Sequence, residues 1–223
     1  MPISVLPWSS QLINLGAALL LLTAFAMLSQ RRIQSLVNLF AWQGFVLSVS
    51  TAVVAYTSGQ QHLYTSAALS LVLKVILLPW ILHVLIRRLN VRWDNEPLLG
   101  IPATMLTGIV LVVFAFALAQ PIAELSTSIA RSTLGVALAV VMLSFLMMIT
   151  RRKAISQVVG FLAMENGLFF AATSATYGMP MVVELGVALD VLVGTVILGV
   201  FFFQIREQFD SLDLQHLEQL KEE

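Results

Sequence analysis

Residues 63–86 read LYTSAALSLVLKVILLPWILHVLI, an apolar run of 24 residues with one fixed charge, Lys74, at its middle. A helix needs about 20 mostly apolar residues to cross the hydrocarbon core of a bilayer. Inserting a lysine at the centre of such a helix costs roughly 2.5–3.5 kcal/mol. The stretch therefore predicts a transmembrane helix, and it marks Lys74 as a functional candidate that needs a partner.

Working outward, six more stretches of the same kind appear, at 9–29, 36–57, 101–120, 127–149, 155–176 and 181–204. The breaks between them carry charge or turn signals: Arg31-Arg32, Ser58-Gly59-Gln60-Gln61, Arg87 to Pro97, Gln120-Pro121, Arg151-Arg152-Lys153 and Tyr177-Gly178-Met179-Pro180. Hydrophobic residues make up 59% of the 223, and charged residues only 11%. Soluble domains carry about 25% charged residues. The expected fold class is all-α: a polytopic integral membrane protein of about seven transmembrane helices, with the bilayer as its solvent.

The basic residues orient it. With the N-terminus outside, Arg31, Arg32, Arg87, Arg88, Arg92, Arg151, Arg152, Lys153, Arg206 and Lys221 all fall inside, and only Arg131 lies near the outer face. The expected topology is N-terminus outside and C-terminus cytoplasmic. Met1 to Ser10 has no basic residue ahead of the first apolar run, so it does not read as a signal peptide and the first helix is kept.

Several chemistries are excluded or unsupported. The net charge is zero, so nothing points to a nucleic-acid partner, and the partner that composition does demand is lipid. With no cysteine there are no disulfides, thiolate zinc sites or iron–sulfur ligands. No Gly-rich phosphate loop and no paired histidines for haem or metal are visible. No cofactor is expected on this chain, and it does not read as an enzyme by itself.

The pass along the chain gives four parts: a three-helix unit at 1–92, a loop and spacer helix at 93–126, a second three-helix unit at 127–204, and a tail at 205–223. In the tail, Phe209, Leu212, Leu214, Leu217 and Leu220 alternate with acids, as in a short amphipathic docking segment or a solvated end. A weak repeat relates Arg31 to Phe45 with Arg151 to Leu168, and with one offset it sets Gln43 against Glu165.

Besides Arg131 at the outer end of the fifth, four further ionisable residues fall within predicted spans. Glu165 is central in the sixth, Asp190 lies well inside the seventh, and Glu184 lies about 9 Å nearer the outer end of that helix at 1.5 Å per residue. His83 sits low in the third, four residues before Arg87, where a snorkelling side chain reaches the interface. Acids and a lysine at one depth suit a lateral proton relay, because each lowers the cost of charging the other. The alternative is that Lys74 pairs with Asp190 or Glu165 only to hold helices together. Glu124 and Arg131, near the outer face, read as an ion pair. On the sixth helix Gly160, Ala163, Gly167, Ala171 and Ser174 form a stripe of small residues suited to close packing. Glu165 projects nearly opposite, toward a cavity or another subunit. On the seventh, Gly186, Asp190 and Gly194 share one face.

The segments Leu73-Lys74-Val75-Ile76-Leu77-Leu78-Pro79, Met164-Glu165-Asn166-Gly167, Val183-Glu184-Leu185-Gly186-Val187-Ala188-Leu189-Asp190 and Leu212-Asp213-Leu214 resemble the hydrogenase-4 component E family. These are membrane subunits of formate hydrogenlyase-like, group 4 nickel–iron hydrogenases, and the resemblance spans most of the chain. The last three helices are also similar to the K subunit of complex I and the C subunit of multisubunit sodium/proton antiporters. That pattern expects a glutamate at the position of Leu162, and the acid here, Glu165, stands one turn further along on a similar face.

The resemblance implies a multi-pass protein of a bacterial or archaeal cytoplasmic membrane. It would lie between a quinone-site-like membrane subunit and antiporter-like subunits of a hydrogenase complex, with all metal centres on partner chains. Lys74, Glu165, Glu184 and Asp190 would carry protons, or serve sodium translocation, with His83, Asn166 and Gln43 as accessories. A self-contained secondary transporter and a purely structural anchor are the competing readings.

Overall fold

A computed structural model describes residues 8–59, 61–89, 100–124, 128–176, 186, 189–194 and 196. Two compact units divide the chain, Met1–Val187 and Ala188–Glu223. Six long helices build the first: α1 (Trp8–Ser29), α2 (Ile33–Ser58), α3, α4 (Ile101–Glu124), α5 (Ser128–Thr150) and α6 (Ala154–Thr176). Helix α3 is one continuous rod of three segments, α-helical Gln61–Ser70, π-helical Leu71–Leu77 and α-helical Leu78–Leu89. All six rods contain a stretch long and apolar enough to cross a membrane, and the described residues include no strand. The protein is an all-α, multi-pass membrane protein.

In the seventh predicted span, residues 186, 189–194 and 196 are helical, and the rest lies outside the described residues. So do Glu184 and the tail at 205–223, together with the side chains of Glu124 and Arg131.

The turns follow from local chemistry. Helix α2 ends where Gly59 adopts φ 69° and donates its N–H to the Ala55 carbonyl at 3.0 Å, a left-handed cap that glycine enters without a Cβ penalty. One boundary differs from expectation. Helix α4 does not stop at Gln120 but runs through Pro121 to Glu124. Proline removes one intrahelical donor, and in the last turn of a 24-residue helix that loss does not end the rod.

Helices α1, α2, α6 and α5 pack in a closed ring, each touching the next. Helix α3 lies against α2, and α4 lies against α5 and α1. The core contains Leu20, Val37, Phe40, Leu47, Val140, Leu143 and Val159, all fully buried. Helix α4 presents Leu106, Ile109, Val110, Val113 and Phe114 outward, a surface fit for lipid and not for water. Between α5 and α6 the small-residue stripe works as the sequence predicts. A Cβ on Gly160 would come 2.8 Å from Met148 Cγ, and one on Gly167 would come 3.1 Å from both Val140 and Val141. These two glycines let the backbones approach closely.

The end of α1, the start of α2, the end of α3, the end of α5 and the start of α6 share one face. Arg31, Arg32, Arg87, Arg151, Arg152 and Lys153 stand there. Arg151 does more than mark that face. Its guanidinium is buried and donates to the last carbonyls of α1, at Met27, Leu28 (3.0 Å) and Gln30. Carbonyls at a helix C-terminus lack the next turn's donors, although that of Met27 also accepts from the Gln30 N–H at 3.3 Å, and a cation there meets the negative end of the helix dipole. Arg151 thereby pins α1 to the turn between α5 and α6. Arg151→Ala should lower stability by about 2 kcal/mol, since charged hydrogen bonds contribute about 1.5–3 kcal/mol and buried carbonyls are left unmet. Lysine at 151 should restore only part, because its compact ammonium is more strongly hydrated than a guanidinium and its stem is shorter. Thermal unfolding of the detergent-extracted protein measures both.

Candidate functional site: a buried ion pair between α3 and α6

The site begins with a departure from regular helix. In the Leu71–Leu77 segment the ladder widens, and the Leu78 N–H reaches back five residues to the Leu73 carbonyl. Pro79 explains the position. It has no N–H, and its ring collides with the carbonyl four residues earlier in a regular α-helix, a collision that a wider turn relieves. Lys74 is the central residue of the seven. The apolar pattern of residues 63–86 gives no hint of the widening.

Lys74 Nζ lies 3.0 Å from Glu165 Oε1 of α6, with side chains 1% and 5% exposed. The ammonium also lies 5.4 Å from the centre of the Phe169 ring, one turn beyond Glu165, where the π face attracts it. A charge-assisted bond of this length in a dry interior is strong, but it offsets a desolvation cost of several kcal/mol per ion. The arrangement is therefore stable as a pair and strongly destabilising as a single charge.

Helix α2 sets the distance between the two partners through consecutive residues. On one side Gln43 Oε1 accepts from Asn166 Nδ2 at 3.2 Å, tying α2 to α6 beside Glu165. On the other side Gly44 abuts Lys74, and a Cβ there would meet Lys74 Cβ at 3.0 Å and its carbonyl oxygen at 3.3 Å. Gln43 and Asn166 are completely buried. Gln43 Nε2 and Asn166 Oδ1 have no protein partner, which leaves one donor group and one acceptor beside the ion pair.

Of the predicted site residues, the structure brings together Lys74, Glu165, Gln43 and Asn166. Glu165 does lie opposite the small-residue stripe, and its carboxylate there meets Lys74 of the same chain, the pairing that the sequence offered beside Lys74–Asp190. A carboxylate in an apolar interior needs its countercharge within the fold, and Lys74 supplies it. Asp190 is helical and buried, within the second compact unit. Glu184 lies outside the described residues.

His83 is half-buried nine positions past Lys74, about 13 Å along the rod, with Nδ1 2.8 Å from the Pro79 carbonyl. It serves the backbone at the proline rather than the pair. Among the described residues no group of three His, Cys, Asp or Glu is placed to hold a metal.

Gly44 and Phe169 were not singled out by sequence reasoning. Gly44 left a faint signal, a Gln-Gly step inside an apolar span, whereas nothing separates Phe169 from a core phenylalanine.

The fold and the pair define the class: a multi-pass membrane protein with a charge pair buried in mid-span. The chain is 30% identical over 214 residues to an uncharacterised protein of Mycobacterium tuberculosis, covering 96% of this chain and 97% of that one. It is 26% identical over 214 residues to hydrogenase-4 component E of Escherichia coli K12 and to that of Shigella flexneri, covering 95% of this chain and 98% of theirs. No family profile matches the chain, and no solved structure matches it. The chain belongs to the hydrogenase-4 component E family.

If Gln43-Gly44 sets the spacing, Gly44→Leu should destabilise the protein by about 1–3 kcal/mol through overpacking against Lys74, and Gly44→Ala by less. Gln43→Glu keeps an acceptor for Asn166 but adds a second acid beside Glu165, so it should be less stable than wild type. Melting of the extracted protein orders the series.

Proposed function

We propose that this chain is the membrane subunit of a group 4 nickel–iron hydrogenase complex, and that Lys74 and Glu165 form one step of its proton transfer. The observation that carries the reading is the ion pair itself: an acid and a lysine from different helices, 3.0 Å apart in mid-span. A proton can pass between such groups when water reaches them, because each stabilises the charged form of the other. The family relationship supports the hydrogenase setting, since the Escherichia coli and Shigella relatives are named as a component of hydrogenase-4. The unfilled amide groups of Gln43 and Asn166 support the proton role, as they are able to order a water beside the pair.

In this reading the chain is a non-catalytic subunit and the metal centres belong to partners. Asp190 and Glu184 continue the relay, and antiporter-like and quinone-site-like membrane subunits flank the chain. The host membrane is the bacterial or archaeal cytoplasmic membrane. The grouping of Arg31, Arg32, Arg87, Arg151, Arg152 and Lys153 on one face supports a cytoplasmic position for that face. A topology reporter fused after Glu223 should then sit in the cytoplasm, and one inserted at Gly59 should sit outside. The opposite result would reverse the assignment.

Relay and structural glue differ in what the variants lose. Glu165→Gln keeps shape without carrying a proton, and Lys74→Met keeps the stem without the charge. If the pair is a relay step, both variants should assemble, and proton translocation coupled to hydrogenase turnover should fall. If it is only glue, each single variant leaves a lone buried charge at a cost of about 3–5 kcal/mol, and the complex itself should be lost. The double variant should then regain assembly and activity, whereas a broken relay should stay uncoupled. Undiminished coupling in both single variants refutes the relay.

A further inference from the structure

The ion pair is set in a seam whose two halves differ in chemistry. Helices α2 and α3 run antiparallel, and the contact of Gly44 with Lys74 fixes their register. Counting residues outward from that contact places Ser48 about level with Ser70, and Thr51 about level with Ala67, next to Ser66. All four hydroxyl residues are buried, and all lie between the ion pair and the face opposite the basic loops. In the other direction the same register pairs Phe40 with Leu78 and Val37 with Ile81, with Leu82 one step on, and all five are buried. On one half of the seam small hydroxyl side chains are interspersed with buried apolar ones such as Leu47 and Leu73, whereas the buried side chains on the other half are large and apolar. Among the described residues, Leu63 near the outer end and Leu73 beside Lys74 are the large buried residues on the hydroxyl side of α3.

Packing alone does not account for the hydroxyls. Ser48 and Thr51 donate to the Gly44 and Leu47 carbonyls at 2.9 Å, which leaves their oxygen lone pairs directed away from those bonds. Ser70 Oγ, one turn before Lys74, is fully buried and has no protein partner. Buried hydroxyls are nearly always hydrogen-bonded to protein or ordered water. A site lined by lone pairs and a free O–H, ending on an ammonium, matches water and the protons it carries.

We infer that the seam between α2 and α3 is a one-sided access route, by which water delivers protons between the Lys74–Glu165 pair and the face opposite the basic loops. Phe40, Val37, Leu78, Ile81 and Leu82 form the seal on the other side. A proton leaves the Lys74 ammonium for a water of the seam, leaving a neutral amine, or returns to that amine by the same path. The route rests on the proposed relay for its purpose but not for its existence.

The absence of cysteine from the chain allows the route to be read directly. Single cysteines are placed at Ser48, Thr51, Ser66 and Ser70, and at Val37, Ile81 and Leu82, in the full-length protein in native membranes. A water-soluble, membrane-impermeant thiol reagent is applied in turn to each side of sealed vesicles. Only a hydrated thiol ionises and reacts, so the hydroxyl-side positions should react at least about ten-fold faster than the apolar-side positions, and only from the face opposite the basic loops. Equal inertness at all seven positions would overturn the route, as would reaction from the basic face. Ser70→Leu, which fills the seam, should also lower coupled proton translocation while Ser70→Thr retains it. Reactive hydroxyl-side cysteines with full coupling in Ser70→Leu would overturn the seam as the proton path while leaving the Lys74–Glu165 relay to its own test.

Discussion

A lysine in the middle of an apolar helix is tolerated only where another helix brings an acid to it, and this requirement governs the arrangement of the protein. Lys74 is almost without solvent contact, and its countercharge comes from a residue 91 positions away in sequence. The packing must therefore hold α6 near α3 with α2 wedged beside both. Gln43 grips the α6 side and Gly44 yields to the α3 side. Small changes in α2 thus act on the pair although α2 carries no charge there.

The backbone takes part as well. Pro79 and the widened Leu71–Leu77 segment put Lys74 on a stretch of α3 that lacks the usual four-residue ladder. Wide turns of this kind gather at functional sites, because they redirect a side chain without ending the helix. The ammonium is further held by the Phe169 ring, so it meets attraction from two sides of one helix face. Such a pair is held by geometry rather than by net energy, since its Coulombic gain and its desolvation cost are of similar size. An interaction so balanced is a poor glue compared with apolar side chains of the same volume, and this favours a chemical role.

Around the pair the fold separates its tasks. The ring of α1, α2, α6 and α5 supplies a buried interior, while α4 turns its apolar side chains outward. Glycines at 160 and 167 bring α5 and α6 into contact on the side of α6 away from Glu165. Arg151 locks the basic end of α1 to the α5–α6 turn, so one residue serves both the charge asymmetry of the loops and the closure of the ring. The hydroxyl and apolar halves of the α2–α3 seam add a direction to an otherwise symmetric barrier.

The sequence by itself determined the membrane class, six of the spans to within a few residues, the basic face and the mid-helix positions of Lys74 and Glu165. Each of these depends on local hydropathy or on position along a helix, which periodicity and length record. It also carried the family, through short segments around Lys74 and Glu165. It left open whether Lys74 pairs with Glu165 or Asp190, and whether Glu165 meets a helix of its own chain, a cavity or another subunit. It marked Arg151 only as a loop charge, and it gave no sign of the π-helical turn or of Gly44 as a spacer. Those features depend on which helices become neighbours and in what register. Hydropathy cannot encode that choice, because all six spans are equally soluble in lipid. Only the tertiary packing decided it, through the need of two buried charges to meet and of small residues to let the backbones close around them.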